Sequence, residues 1–407
     1  MSYRLYTYRP NFFVTGTVGF GPRTQHVKYE AVAQMHFGNA IVRPVLTSIH
    51  RLPLVTVGQF RVGQILCETF WPSYYRNGEP QSVCPRYVAR RQLSRLQELG
   101  YRLKSGFEAE FAVFRTADGT TPLFDGKDML TCQCLAEVEP LLYAIENGLA
   151  VTGVDVLTVQ TENGPGQMEL TLAPVFDVAA ADAMFRLREA VKEMCSSRDL
   201  YATFMAKSSD TSAVSGLHFN HSLWSPDTDQ DQFDAAGELS EVGRRWLAGL
   251  VRHAPALTAL CAPTVNCYRR LHRSPAPIRA DWGFDDRLSA FRVQCGGAGA
   301  TFIENRISSG PANPYLVLAA TVAAGIDGLE TGIAAGVDDV VEVQMLPTSL
   351  DAALDALQSD EVMVDALGTE LVDWFVKIKR EVEIAERLNN DHSDAFTIER
   401  ELYFKFL

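Results

Sequence analysis

In PRYVARRQLSRLQELG the apolar positions Val88, Leu93, Leu96 and Leu99 form one stripe and the basic residues fall largely elsewhere. That spacing predicts an amphipathic helix that starts near Pro85 and stops at Gly100. Helical spacing returns in AAADAMFRLREAVKEMC, GRRWLAGLVRHAPALTAL and PYLVLAATVAAGIDGLE. It appears again in SLDAALDALQ, where Ser349 is placed to cap the first turn, and in EVMVDALGTELVDWFVKIKREVEIAERL, read as one closing helix. Between the helices stand KSGFEAEFAVFR, GPGQMELTLAP, LYATFMAK, SGLHFNHSLW, SAFRVQC and TFIENRI, apolar runs of strand length. The alternation predicts a large α/β (α+β) domain over residues 82–407 with a helical tail. Upstream, AIVRPVL, LPLVTVG and VGQILCETF are short runs broken by Pro and Gly, which predict a small sheet from about residue 41 to 71. A small β-rich domain is therefore expected over residues 1–81, with residues 1–40 unassigned because they carry no period.

Charge narrows the partners. Thirty-seven Lys and Arg stand against 50 Asp and Glu among 407 residues, a formal charge of −13. Such a balance opposes the phosphate neutralisation on which nucleic-acid binding depends, and it disfavours an anionic membrane surface. No run approaches the roughly 20 apolar residues that span a bilayer, and MSYRLYTYRPNFF has no apolar leader core. A cytoplasmic location is expected. The eight cysteines are scattered, and Cys132 with Cys134 forms a lone C-x-C, so reduced thiols are expected.

Within FEAEF, Glu108 and Glu110 are two apart and in a strand share one face, while Phe107, Ala109 and Phe111 take the other. Further acids stand at Glu162, Glu169 and Glu304, and an imidazole at His218, all in or beside predicted strands. Five carboxylates and one imidazole can converge as hard ligands for Mg or Mn. Arg270, Arg287, Arg292 and Arg306 add fixed guanidinium groups of the kind that neutralise a transferring phosphoryl group. Solvated strand ends explain the same residues without any chemistry, and pattern alone leaves both readings open.

Longer blocks are more specific. FEAEF, GPGQMELTLAP, SGLHFNHSLW, APTVNCYRRL and ENRISSGPANPYLVLAATVAAGIDGLE, in this order, resemble successive signature blocks of the glutamine synthetase family. The likeness runs from about residue 41 to the C-terminus. It implies an open-barrel catalytic domain after a truncated or divergent β-grasp-like N-terminal domain. It also implies a homo-oligomer of two stacked rings, a dodecamer, with each site between neighbours. By resemblance Glu110, Glu162 and Glu169 hold one divalent ion, Mg or Mn, and Glu108, His218 and Glu304 a second that bridges the phosphates of ATP, the substrate. Arg270, Arg287 and Arg306 match residues with catalytic roles, and Arg287 and Arg292 match nucleotide contacts. The implied chemistry is attack of glutamate on the γ-phosphate, then displacement of phosphate by an amine.

Several positions depart from the family pattern. Ala213 and Val214 replace an Asn-Gly that binds glutamate, Asn220 replaces a second histidine, and Phe302 replaces an arginine linked to the nucleotide. LHRSPAP stands where the family has a flap whose Glu takes the proton from ammonium, and it contains no acid. Residues 1–40 show no match to the acidic loop that the family's N-terminal domain lends to a neighbour. Three further segments, CPRYVARRQLSRLQELG, RWLAGLVRHAPALTAL and ANPYLVLAATVAAGIDGL, look most like the family's vertebrate lens branch, which lacks enzymatic activity. That likeness implies a structural or chaperone-like role and opens a cytoskeletal partner. A ligase of low or absent glutamine synthetase turnover and a non-catalytic oligomer are both expected classes. His221, one residue past Asn220, should face the opposite side and pack, and His253 and His392 are expected to be ordinary surface or packing residues.

Overall fold

The computed structural model describes residues 19–20, 26–27, 29–34, 39–57, 60–126, 130–209, 213–271, 273, 275–296, 301–332, 344–385 and 395–407. His392 and much of residues 1–40 lie outside them, as do residues 272 and 274 of LHRSPAP. At the start, two-residue strands β1 (Gly19–Phe20) and β2 (His26–Val27) pair, and α1 (Glu30–Gln34) follows. The runs between 41 and 71 form strands as expected: β3 (Ile41–Pro44), β4 (His50–Val57), β5 (Phe60–Gln64) and β6 (Cys67–Phe70). They make two separate antiparallel pairs, β3 with β6 and β4 with β5, and not one small sheet.

A nine-stranded sheet carries the rest. After α2 (Pro85–Glu98), the long strand β7 (Arg102–Phe114) runs through its middle. The other members are β8 (Val156–Thr161), β9 (Gln167–Leu172), β10 (Val175–Phe176), β11 (Tyr201–Thr203) and β12 (Leu217–Trp224). Beyond the small hairpin of β13 (Asp234–Ala235) and β14 (Glu238–Leu239) come β15 (Trp282–Phe284), β16 (Phe291–Cys295) and β17 (Thr301–Asn305). The order is β15-β16-β17-β12-β7-β9-β8, with β10 and β11 on opposite ends of β7. All these pairings are antiparallel except β15 with β16, so the domain is α/β in the mixed sense.

Alternation along β7 separates the two faces. Phe107, Ala109 and Phe111 are fully buried in the main core, with Phe107 against Phe219 and Phe111 against Phe204. Helices α2 and α4 (Ala179–Ser196) pack on this side of the strand. Behind them lies α7 (Pro314–Thr331), apolar nearly all round and therefore buried among α2, α4, α5 (Glu241–Arg252), α6 (Ala254–Cys261) and α9 (Glu361–Leu367). At the α5–α7 crossing a Cβ on Gly249 would collide with Ala324 O and Gly328, so glycine sets how closely the helices approach. Ser349 caps α8 (Leu350–Ser359) as expected, accepting from Ala352 N at 3.2 Å. Among the described residues no helix is long and apolar enough to cross a membrane.

Three departures from the sequence pattern have local causes. The closing helix breaks at Gly368, whose φ of 97° ends α9 before α10 (Thr369–Ile378) begins. It then widens into a π turn over Lys379–Ile384, and α11 (Ala395–Tyr403) is a separate helix. GRRWLAGLVRHAPALTAL likewise splits at His253, because Pro255 cannot donate to the preceding turn. Finally, α3 (Cys132–Val151) carries Cys132 and Cys134 in a helix that the pattern did not reveal. Its internal Pro140 masks it, and Thr131 starts it by accepting from Cys134 N at 3.2 Å.

Candidate active site

The face of β7 opposite the core gathers the six candidate ligands through cross-strand register. His218 on β12 lies opposite Glu108, and Glu169 on β9 lies opposite Glu110. On the other side of β12, Asn220 lies opposite Glu304 of β17, which lies opposite Arg292 of β16. Glu162 follows β8 and its backbone N–H is held by Gln167 O at 2.8 Å. Two clusters result.

In the first, Glu108, His218 and Glu304 offer ligand atoms all within 4.8 Å of one another. His218 Nδ1 stands 3.4 Å from Glu108 Oε2 and 3.2 Å from Glu304 Oε1. Asn220 Nδ2 donates to Glu108 Oε1 at 2.7 Å, so the residue that replaces the family's second histidine braces the carboxylate. Burial alone would raise the Glu108 pKa, but His218, Asn220 and Arg306 outweigh it and hold the group at about 2. Glu304 is 1% exposed and is paired with Arg292 Nη1 at 3.1 Å and, more tightly, with Arg306.

The second cluster is different in balance. Burial, and then the charges of Glu110, Glu108, Glu162 and Glu304, push the Glu169 carboxyl up to about 9. Burial and Glu110 raise Glu162 as well. The hydrogen bonds here come from neutral amides: Gln160 Nε2 donates to Glu162 at 2.9 Å and Gln167 Nε2 to Glu110 at 2.9 Å. Mutual repulsion among hard oxygen donors is what a divalent cation relieves, and among the described residues the ligand atoms of Glu108, His218 and Glu304 lie close enough together to hold one.

Arginines line the same region. Arg270 is 3% exposed and donates to Arg306 O at 3.0 Å and Ile307 O at 3.1 Å. Its Nη2 reaches within 3.3 Å of His218 Nε2. Burial lowers the Arg270 pKa to about 10, with Glu110 opposing. A Cβ on Gly216 would stand 2.8 Å from His218 Nε2, 3.0 Å from Glu110 Oε1 and 3.1 Å from Arg270 Nη2. Glycine leaves these three side chains room to meet across the strand end, and a larger residue would make them shift. Arg292 bridges Glu304 and Asp285, and Arg306 Nε donates to Arg287 O at 3.0 Å. Arg287 itself is exposed, so its guanidinium is outside this packed group while its carbonyl orients Arg306.

Three contributors were not singled out from sequence. Gln167 shares a face with Glu169 by simple alternation and could have been found that way. Gly216 and Asp285 left no signal, since each matters only through strand ends that meet in space. The buried His221 lies on the other face, accepting from Trp246 Nε1 at 2.9 Å and packing near Phe219, which agrees with the expected packing role. His253 is more than a packing residue, being held between Asp360 at 2.6 Å and Asp327 at 3.1 Å.

Residues 82–398 match the glutamine synthetase catalytic domain. The chain is 34% identical to lengsin of Canis lupus familiaris over 372 residues, 87% of this chain and 61% of that protein. It thus spans about three fifths of the length of that relative. It is 31% identical to a gamma-glutamylanilide synthase of an Acinetobacter species, covering 79% of this chain and 69% of the relative. Among solved structures, a GmaS/ADP complex superposes with a TM-score of 0.77 at 27% identity, covering 90% of this chain and 91% of that one.

Proposed function

This chain belongs to the glutamine synthetase family, and on that premise we propose that its sheet face binds ATP with Mg or Mn and activates a glutamate-like carboxylate for amide formation. Turnover with glutamate and ammonium is very low or absent. The observation that carries the reading is the convergence of Glu108, His218 and Glu304 beside Glu110 and Glu169 on one face of β7 and its neighbours. Glu110, Glu162 and Glu169 would hold one ion, and Glu108, His218 and Glu304 another. When bound, the ions supply charge neutralisation to the phosphates and the transferring phosphoryl group. The protein's part is to fix direction: Arg270, Arg292 and Arg306 are locked by carbonyls and carboxylates, so they present positive charge without reorganising. Arg287, exposed at the rim, is available to the nucleotide. A relative named for γ-glutamylanilide and one solved with ADP support a nucleotide-dependent site whose amine is not ammonium.

Weak ammonium chemistry follows from what is replaced. LHRSPAP supplies no acid to take the amine proton, and a general base contributes roughly 100- to 10,000-fold. Ala213 and Val214 offer glutamate no polar side chain. The second reading is a non-catalytic oligomer of two stacked rings in the cytoplasm, structural or chaperone-like, with a cytoskeletal partner. The match to lengsin favours it. Phosphate release from ATP, with glutamate plus ammonium or larger amines, separates the two. Turnover with ammonium of about 1 per second or faster, the low end of ordinary enzymes, would overturn the weak-turnover claim. Failure to bind Mg·ATP at millimolar concentration would remove the ligase reading and leave the oligomer, for which light scattering gives the subunit number.

A further inference from the structure

Behind Arg270 lies a buried polar layer that the ligand face does not use. The turn at Val265–Arg269 leads directly into Arg270, and the C-terminal elements grip it at three points. Val265 N donates to Glu383 Oε1 at 3.1 Å. Asn266 Nδ2 donates to Glu399 Oε2 at 2.9 Å, and Arg269 Nε donates to the same oxygen at 2.6 Å. Glu383 is 0% and Glu399 1% exposed. Each is matched in charge, Glu383 by Lys379 Nζ at 2.6 Å and Glu399 by Arg269, and Tyr403 on α11 donates its hydroxyl to Glu383.

The grip extends to a second segment of the site. Asn266 also exchanges hydrogen bonds with the Lys207 backbone, accepting from Lys207 N at 2.9 Å and donating to Lys207 O at 3.1 Å. Lys207 bridges to Val214, and Ser215 N donates to Ala206 O at 2.8 Å, so this ribbon carries Val214 and Gly216 into the site. Asn266 thus links one oxygen of Glu399 to the Lys207 backbone. Lys379 and Glu383 both lie in the π turn and are both buried, and such turns recur at functional sites.

We infer that Glu383 and Glu399 are positioning residues: the π turn and α11 form a clamp that fixes Arg270 and the paired segments 206–207 and 214–215 in register with the carboxylate face. This rests on the reading that Arg270 faces bound phosphate or carboxylate. A buried donor turn that loses its acceptor shifts, and a guanidinium fixed to within a fraction of an ångström is what phosphate recognition requires.

The test uses the full chain with Glu399→Gln, Glu383→Gln, Arg270→Lys and, as a control, Glu68→Gln in a distant buried ion network. Hydrogen exchange at amides 264–271 should rise at least about tenfold in Glu399→Gln and Glu383→Gln and stay at the wild-type level in Glu68→Gln. Calorimetric affinity for Mg·ATP should fall about 10- to 100-fold in Glu399→Gln, the range seen when outer partners of a site are lost. The combination with Arg270→Lys should lose little more than the worse single variant. Unchanged exchange at 264–271, equal exchange in the control, or affinity losses that add would overturn the clamp. If the wild type binds no Mg·ATP, the ligase reading fails, while exchange still decides the positioning claim. Should Glu399→Gln not fold, Glu383→Gln carries both measurements.

Discussion

Glu169 and Glu68 are both acids on strands of this chain, yet their surroundings are opposites. Glu68 on β6 lies between two cations, 2.6 Å from Arg86 and 2.8 Å from Arg90. Arg86 in turn binds Asp182 at 2.9 Å, and Asp182 accepts from Tyr315 OH at 2.6 Å. This network joins the N-terminal strands to α2, α4 and α7 with its charges matched inside the protein. Glu169 stands among four carboxylates that push its pKa up to about 9, after burial itself. Buried charges are matched in one place and opposed in the other, and the proposed metal site lies where they are opposed. The first region is complete as folded; the second is the one that the proposed function would complete with a bound cation.

The comparison breaks most visibly if the matched network proves dispensable. Removing Asp182 leaves Arg86 to share Glu68 with Arg90 and takes the acceptor from the buried Tyr315 hydroxyl, so Asp182→Ala should cost about 3–5 kcal/mol. Urea unfolding of the two proteins measures this directly. A loss under about 1 kcal/mol would mean that water reaches Arg86 and that the network is not a buried one.

Next in size is the response to metal. Mg or Mn added to chelator-treated protein should raise Tm, by the equivalent of about 2.7 kcal/mol when free metal is 100 times its Kd. The combination Glu110→Ala and Glu304→Ala should remove that rise, whereas Asp182→Ala should lower Tm and keep it. A metal response that survives the double substitution would place the ion elsewhere.

A smaller effect sharpens the contrast from the other side. With its pKa pushed up to about 9, the Glu169 carboxyl keeps its proton at neutral pH without metal, so Glu169→Gln should then change stability by no more than about 1 kcal/mol, while metal affinity falls. Thermal melts with and without Mg distinguish these. Larger destabilisation in chelator would indicate that Glu169 already has a cationic partner in the protein.

Much of this was legible in the sequence because it depends on alternation and block order. The shared face of Glu108 and Glu110 follows from a spacing of two in a strand, and the family blocks supply the remaining ligands in order. Two features were missed for local reasons, and others because only long-range contact creates them. The split at His253 depends on Pro255 meeting an otherwise continuous apolar stripe, and α3 was obscured by Pro140 within it. Glu383 and Glu399 read as ordinary charges of an amphipathic tail until the π turn and α11 turn them under Val265–Arg269. Buried ion partners are set by tertiary register, which no local period encodes.

The smallest expected effect concerns a third network, matched like that of Glu68 but titratable. His253 lies between Asp360 and Asp327, and Asp327 also takes Arg252 at 2.7 Å. Burial disfavours the His253 cation, but the hydrogen bonds and charges of the two aspartates outweigh it and raise the pKa above its ordinary 6.5. A raised folded-state pKa means that the imidazolium contributes its full stability below pH 6.5, where the unfolded chain also carries the proton. That contribution is lost as pH rises through the higher folded value. Arg252 keeps its charge throughout, so part of the network persists at alkaline pH. His253→Gln should therefore lower Tm most at pH 5.5–6.5, above the range where the aspartates themselves protonate, and the gap to wild type should narrow towards pH 9. Melting curves of both proteins at half-unit pH steps decide it. A gap that stays constant, or widens with pH, would mean that His253 is neutral as folded and that its network is matched by hydrogen bonds alone.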